Sequence, residues 1–571
     1  MEEKIMKEVL ESIRIYTIKN AYEYGKARYD SVLGKILSKF PESKNEMTWL
    51  SKSIKEVVEE VNSMAKEDLE SAYAKYKPLF EEEYKKKVDE TSKPRMVLEG
   101  AEYGNFATRF APAPNGFMHI GHAKTLNLAN EFAKIYNGKI FLYFDDTNPE
   151  KDSEKYVDMI KRDCEWLGVK FDGEYYASDN IEFIYEVARK LIKTGNAYVC
   201  KCSREKMKEM RLAGKECEHR TQTIEENLKE FEGMLSGKFN EGEAVLRFKG
   251  DMQSPNTVMR DPTLMRVKKS RHYRQGTKYI VWPTYDLNTP VNDSIHGITD
   301  PIRSKEYELR DELYYKVLDA AGLRKPRMHS DSRLVIKDNI THKREINQLI
   351  KEGLLEGYDD PRLVTIAALR NRGILPEAIR DFVLKFGMSK TESKVDISML
   401  MAENKKYIDP TSKRLFFVKE PVKCHINGMD REVKIPLHPT NDLGYRSYKL
   451  NQYIYISKED IEKSNKLKLK DLCYIEIEKN GEAYEARMLE SADEKIKAVQ
   501  WLPEDFLKCK VLVPKNPIKE GKFDKNSLEI LEGYAEPYLK EIKENEIIQF
   551  ERFGFCIMHQ KEKNELIFIS S

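Results

Sequence analysis

The sequence predicts a multidomain α/β protein whose core is an open parallel sheet, with helical segments around it and a β-rich C-terminal third. Three observations lead there. Residues 108–146, TRFAPAPNGFMHIGHAKTLNLANEFAKIYNGKIFLYFDD, read as strand, glycine turn, helix and second strand. Lys/Glu-rich segments with short apolar stripes at helical spacing occupy residues 1–98. From about residue 405, short alternating strands follow one another with turns between them, the pattern of β-barrels.

Length and composition bound the function. A chain of 571 residues corresponds to about three to five domains. Charged residues make up 34 %, and no apolar run approaches the roughly 18 residues of a membrane span, so no membrane role is expected. The start MEEKIMKEVLESIRIYTIKN lacks the basic-then-apolar order of a signal peptide, which predicts a cytoplasmic protein. A formal charge of +2 neither favours nor excludes a nucleic-acid partner. Eight cysteines, three of them clustered, suit a reducing compartment.

Taken in order, Ile36, Leu37 and Phe40 form one N-terminal stripe, and Ile54, Val57, Val58, Val61 and Met64 another. A solvated appendage and a docking module fit these stripes equally, and EEEYKKKVDE then leads towards the first strand. Residues 106–110 form that strand, and Pro114-Asn115-Gly116 the turn. Ala123, Leu126, Ala129, Phe132, Ala133 and Tyr136 recur at helical spacing, with Gly138 as the C-terminal glycine. Ile140, Leu142 and Phe144 alternate as the next strand, which ends in Asp145-Asp146. The connecting loop places His119-Ile120-Gly121-His122 at a helix N-terminus, where unpaired N–H groups and the helix dipole favour a phosphate.

Cys200-Lys-Cys202 and Cys217-Glu-His219 offer four soft ligands, enough for a tetrahedral structural zinc, although buried thiols satisfy the same spacing. The stretches around GEAVLRFKGDM and TLMRVKKSRHYRQGTKYIVWP read as strands joined by a basic connection, Lys268, Lys269, Arg271 and Arg274, suited to phosphates. Asp293, Gly297 and Thr299 are expected to line a strand turn after Tyr285. Residues 352–387 are expected to be helical, broken at Asp360-Pro361 and Gly373. In the β-rich region, Tyr445, Arg446, Tyr448, Lys449, Tyr453 and Tyr455 interleave aromatic and basic side chains that could hold unpaired bases.

With the PNG turn before it and FDDTNP after it, the HIGH string resembles the signature of class I aminoacyl-tRNA synthetases, glutamyl/glutaminyl branch. The resemblance extends over about residues 100–571 and is nearest to the archaeal-type glutamyl members. It implies a Rossmann-like catalytic domain in two halves (99–198 and 278–346), separated by a zinc-containing acceptor-end-binding insertion (199–277). A helical N-terminal extension (1–98), a helical stem-contact connector (347–404) and a two-barrel anticodon-binding region (405–571) complete the expected architecture.

The resemblance also implies roles. His119, His122, Lys343 and Arg344 would be catalytic, Lys343 standing in SRLVIKDNITHKREI where the KMSKS-like loop belongs. Ala113, Pro114, Asn115, Gly116, Gly121, Arg333 and Leu334 would join His119, His122 and Lys343 around ATP. Arg109, Asp145, Tyr285 and Arg303 would form the amino-acid site. Arg303 stands where glutaminyl enzymes carry a small residue, which favours glutamate, since the guanidinium can pair with its side-chain carboxylate, a pairing that a neutral glutamine amide would not require. Cys200, Cys202, Cys217 and His219 would hold structural Zn2+, and ATP would arrive with Mg2+. The expected partners are L-glutamate, ATP and tRNA(Glu), with tRNA(Gln) open as a second acceptor and a monomer as the family's default. A glutaminyl-tRNA synthetase is the rival within the family. A catalytically silent tRNA-binding paralogue is the rival outside it, suggested by Thr341-His342 in place of the usual hydrophobe-serine pair.

Overall fold

The computed structural model describes residues 3–77, 96–490 and 496–571. The chain divides into two compact units, Met1–Pro94 and Arg95–Ser571. In the first, helices Glu3–Tyr24, Tyr29–Lys39 and Met47–Asn62 close round one apolar core. Ile36, Ile54, Val57 and Val61 of the expected stripes are buried there with Val9, Ile13, Val32 and Leu50, and Leu37, Phe40, Val58 and Met64 pack round them. EEEYKKKVDE lies outside the described residues.

In the second unit, strand Ala107–Phe110 pairs in parallel with Lys139–Phe144, which pairs in parallel with Gly173–Tyr176. Parallel neighbours require crossovers, supplied by helices Ile120–Ile135 and Glu154–Trp166. The helix after the glycine turn begins at Ile120, with His119 as its N-cap. At its other end the left-handed residue is Asn137, φ 48°, and not Gly138. Gly138 answers a different constraint: a Cβ there would run into the carbonyl and ring of Phe106.

The sheet resumes far along the chain. Ile302–Ser304 pairs in parallel with His329–Asp331, and the amides of Thr299 and Asp300 both donate to the carbonyl of Ala107 on the first strand. Between the halves, Ala197–Cys200, Val245–Phe248, Thr263–Val267 and Val281–Pro283 form an antiparallel four-stranded sheet. The basic connection in this segment is partly spent, because Lys268 pairs with Glu150 and Glu241, and Arg274 with Asp179. Asp293 lies inside helix Tyr285–Ile295, not in a turn. Of residues 352–387, only Ile366–Asn371 and Pro376–Leu384 are helical. Asp360 holds the preceding stretch open by accepting from Arg362 Nε and Nη2 and from the amides of Glu356 and Arg362.

Helix Ile397–Ile408 runs past the expected start of the β region. Beyond it lie two seven-stranded, barrel-like sheets, each round its own apolar core. Buried Glu536 of the second reaches into the first, accepting from the amide of Phe416 (2.7 Å), Arg446 Nε (2.8 Å) and Tyr448 Oη (2.7 Å). Arg446 and Tyr448 therefore serve the barrel junction and are withdrawn from base contact. Tyr445 and Tyr453 stay on the surface, each with a lysine over its ring. Removing one member of a buried pair strands the other charge, which costs roughly 3–5 kcal/mol. Glu536→Ala should accordingly lower the unfolding midpoint of the C-terminal region in urea, with Glu536→Gln intermediate; an unchanged midpoint would show that the junction does not depend on this carboxylate.

Candidate active site

The first strand delivers the chain to residues 111–119, and the helix that follows is capped by its own histidines. His119 Nδ1 accepts from the amide of Gly121 (3.1 Å), His122 Nδ1 accepts from the amide of His119 (3.2 Å), and the two rings stack at 3.9 Å. Burial pushes both imidazoles below their ordinary range, His122 to about 4, and for His119 the neighbouring His122, Arg333 and His342 add to the effect. A neutral imidazole whose Nδ1 accepts carries its proton on Nε2. Each ring thus presents one N–H donor without a cationic charge. Gly121 is required by this stacking, since a Cβ there would lie 2.9 Å from His119 Cε1.

Asn115 ties the turn to the loop that leads into helix Glu154–Trp166. Its Nδ2 donates to Asp152 Oδ1 (3.0 Å), and the Pro114 carbonyl accepts from the amide of Ser153 (2.9 Å). Ala113 and Gly116 complete the loop, and Lys343 crosses Gly116, its Cδ 3.3 Å from where a Cβ would stand. Lys343 opens helix Lys343–Lys351 and lies 4.6 Å over the Tyr156 ring. Its partial burial lowers its affinity for a proton, against the pull of Asp152. The structure therefore brings the lysine of the second signature onto the turn of the first. Leu334 is buried in strand Leu334–Ile336, half-exposed Arg333 pairs with Glu306 (2.7 Å), and Arg344 is exposed.

At the strand ends, Asp145 and Asp146 separate in role. Asp146 is enclosed, accepting from the amide and hydroxyl of Ser178 (both 2.8 Å) and from Tyr273 Oη (3.0 Å). Asp145 remains partly open. Its Oδ1 accepts from Asn288 Nδ2 (2.8 Å) and Thr147 Oγ1 (3.2 Å), while its Oδ2 takes no hydrogen bond among the described residues. Burial raises its carboxyl above the usual range, opposed by these donors and by Arg266 and Arg109. Arg109 is 4 % exposed and committed to Asp293 through Nε and Nη2 (3.0 and 3.1 Å) and to the Ile302 carbonyl through Nη1 (3.1 Å). Arg303, also buried, donates through Nη1 to Tyr285 Oη (3.0 Å) and pairs with Asp311, while its buried Nε has no partner among the described residues. The Tyr285 ring packs against that of Tyr307, centroids 4.6 Å apart and tilted by 35°.

Asn288, Tyr307 and Asp311 thus build the site without having been selected from sequence, and Asp293, expected in a strand turn, joins them from within a helix. An Asn one helical turn from another Asn, or an Asp opening a helix, carries no signal until the fold supplies its partner.

Cys200, Cys202, Cys217 and His219 converge, their ligand atoms all within 4.8 Å of one another. Cys200 and Cys217 Sγ lie 3.8 Å apart, and Cys202 Sγ lies 3.6 Å from His219 Nδ1. A tetrahedron with Zn–S of about 2.3 Å and Zn–N of about 2.05 Å has edges of about 3.8 and 3.6 Å, so the four donors fit zinc. Arg247 Nη1 lies 3.8 Å from both Cys200 and Cys217 Sγ, and Cys217 is drawn towards thiolate by the Cys200 thiol and by Tyr198 and Arg247.

A separate cavity of about 280 Å3 opens at the barrel junction. Lys405, Arg414, Lys470 and Arg552 line it with Asp409, Gln549 and Glu551, and the buried Nη1 of Arg414 has no partner among the described residues.

The description "tRNA synthetases class I (E and Q), catalytic domain" matches residues 105–410. Two families described as "tRNA synthetases class I (E and Q), anti-codon binding domain" match residues 412–490 and 498–559. The chain is 40 % identical over 577 residues to a glutamate–tRNA ligase of Nitrosopumilus maritimus, covering 98 % of this chain and 99 % of that protein. It is 38 % identical over 573 residues to that of Pyrococcus furiosus, covering 97 % and 98 %. A solved glutamate tRNA ligase from Elizabethkingia meningosepticum is 21 % identical, with a TM-score of 0.41 over 54 % of this chain and 70 % of that one. The chain belongs to the class I tRNA synthetases of the E and Q group.

Proposed function

We propose that this chain ligates L-glutamate to tRNA(Glu) at the expense of ATP. The observation that carries the choice of amino acid is Arg303: a buried guanidinium whose Nε has no partner among the described residues, with Tyr307 near enough to feel both it and Asp145. A carboxylate accepts from such a guanidinium in a way a neutral amide cannot match. Glutamate's side-chain carboxylate would take Arg303, and its ammonium Asp145, with Tyr285 against the chain between them. Arg109, held by Asp293, would fix the floor of the pocket and lend its remaining N–H groups.

The α-carboxylate would then attack the α-phosphate in line. The new O–P bond forms as the bond to pyrophosphate breaks, and the electron pair leaves with pyrophosphate. A ribose hydroxyl of the tRNA's terminal adenosine next takes the glutamyl group and AMP departs. No covalent enzyme intermediate is needed; positioning and charge stabilisation suffice. His119 and His122 would donate through Nε2 to phosphate oxygens, and Lys343, aided by Arg344, would neutralise the leaving pyrophosphate. Gly121, Leu334, Arg333 and the turn Ala113, Pro114, Asn115 and Gly116 would hold the nucleotide. Mg2+ would enter with ATP and supply positive charge to the phosphate chain.

The domain division that accompanies this reading is an N-terminal extension (1–98), catalytic halves (99–198 and 278–346), an acceptor-end insertion (199–277), a connector (347–404) and an anticodon region (405–571). Zinc on Cys200, Cys202, Cys217 and His219 would be structural, since four protein ligands leave no open position. The cavity at the barrel junction would receive an anticodon base. Arg414 and Arg552 offer donors, Gln549 offers both donor and acceptor, and residues of both anticodon-binding segments line it.

Replacing Arg303 with Ala should raise the KM for glutamate at least a hundredfold with little change in the KM for ATP, measured as ATP–pyrophosphate exchange with tRNA present. Exchange supported by glutamine alone would sink the reading. Metal analysis should return about one zinc per chain, lost in a Cys200→Ala/Cys202→Ala variant; a folded, zinc-free wild type would overturn the metal assignment. Arg414→Ala should raise the KM for tRNA(Glu) at least tenfold and leave that for glutamate unchanged, and equal KM values for tRNA would remove the cavity from recognition.

A further inference from the structure

Strand Val245–Phe248 runs antiparallel to Ala197–Cys200, with Arg247 directly opposite Tyr198. Residues two apart on a strand share a face, and so do directly opposed residues. Arg247 and Tyr198 therefore stand on the face that carries Cys200. The Arg247 side chain is among the largest that are fully enclosed, and the residue is 2 % exposed. Its Nε donates to the Asp261 carbonyl (2.8 Å), and its guanidinium carbon lies 5.6 Å from the centre of the Tyr198 ring. Its Nη1 lies 3.8 Å from Cys200 Sγ and 3.8 Å from Cys217 Sγ, within hydrogen-bond reach of both sulfurs. Asp261 is itself held in place, in the left-handed backbone region at φ 44°. Its Oδ2 accepts from Tyr198 Oη (2.8 Å) and Arg220 Nε (3.0 Å), and its Oδ1 from the amide of Gly250 (2.8 Å).

Among the described residues Arg247 forms no ion pair with a carboxylate, and its buried Nη2 has no partner. A guanidinium does not give up its proton in a protein, and a buried charge without a counter-charge is strongly disfavoured. Neutral thiols at Cys200 and Cys217 would supply none. Three thiolates and a neutral imidazole around a divalent ion form a centre with one net negative charge, the complement of one guanidinium. We propose that Arg247 is the counter-cation of the centre formed by Cys200, Cys202, Cys217 and His219. It is a positioning residue that balances the charge of the centre and donates through Nη1 to two of its thiolates. The inference rests on the zinc reading of those four ligands. Charge balance favours the thiolate, metal-bound form over the free thiols and so tightens metal binding. The N–H donors also fix where the two sulfurs stand, as partners of metal ligands do.

The test is the affinity of the full chain for Zn2+, measured under reducing conditions by competition with a chromogenic chelator. It compares wild type with Arg247→Gln, which loses the charge, and Arg247→Lys, which keeps the charge but reaches one sulfur at most. Arg247→Gln should bind zinc roughly 10–100-fold more weakly, the usual range when a partner of a metal ligand is lost. Arg247→Lys should recover most of that loss. Equal affinity in all three proteins, or the same loss in both variants, would overturn the proposal. Co2+ in place of zinc gives a second readout, the sulfur-to-metal charge-transfer band. A hydrogen bond lowers the energy of the sulfur electrons, so the band should move to longer wavelength in Arg247→Gln and by less in Arg247→Lys. An unmoved band would overturn the contact to sulfur, and Arg247→Lys decides this where Arg247→Gln does not fold. A folded wild type that takes up neither ion would overturn the zinc reading beneath.

Discussion

Arg109 and Asp293 are 184 residues apart in sequence and bidentate in space, both buried, on opposite sides of a long insertion. The rest of the catalytic sheet depends on this meeting. Two charges removed from water are held only if every remaining polar atom is satisfied, and here the satisfaction is distributed. Arg109 also donates to the Ile302 carbonyl on the resumed sheet, and Asp293 also accepts from Tyr314 Oη (2.9 Å). Buried Lys124 repeats the device from the neighbouring helix, donating to Asp331 Oδ1 (2.9 Å) and to the Ser332 carbonyl (2.8 Å). These pairs set the register of the second half against the first.

The phosphate end is built by a different rule. Its histidines are kept neutral by burial and by the use of each Nδ1 as an acceptor from the backbone, so the signature supplies oriented N–H donors with no charge of their own. Cationic charge comes from the second signature, whose helix start lies over Gly116. Dividing the labour lets donors and cation share one cleft without mutual destabilisation.

The β-α-β unit and the Cys/His cluster were legible in sequence because each is local: periodicity, a turn and a short string place them together. The barrels were legible as a run of alternating strands. What escaped depends on which face a side chain meets. Arg446 and Tyr448 belong to a strand whose buried and exposed residues alternate, and its inward face carries the polar pair. That face meets Glu536, ninety residues on, which pattern alone cannot reveal. Asn137 took the left-handed position expected of Gly138 because the glycine was needed for the close approach of Phe106. The amino-acid pocket was half legible. Arg303 and Asp145 stood out by resemblance, but Asp311, Asn288 and Tyr307, which pair with, orient and pack against the selected residues, did not.

Asp311 changes how the preference for glutamate must be argued. An arginine already paired with a carboxylate is not a bare cation awaiting an anion, and Arg109 is likewise matched by Asp293. Arg303 nevertheless keeps a buried Nε without a partner among the described residues, while Asp311 stands at the partly exposed start of its helix, its side chain 31 % exposed. An entering carboxylate would satisfy the buried donor and could share the guanidinium with Asp311, which can turn towards water at small cost. An amide oxygen would satisfy one donor at most, and its NH2 group would face other donors. In the proposed site the discrimination would lie in a buried, unfilled hydrogen bond, and not in an excess of positive charge. Such a site rejects the analogue that leaves its polar groups unpaired, the strongest form of selectivity that a small pocket can have.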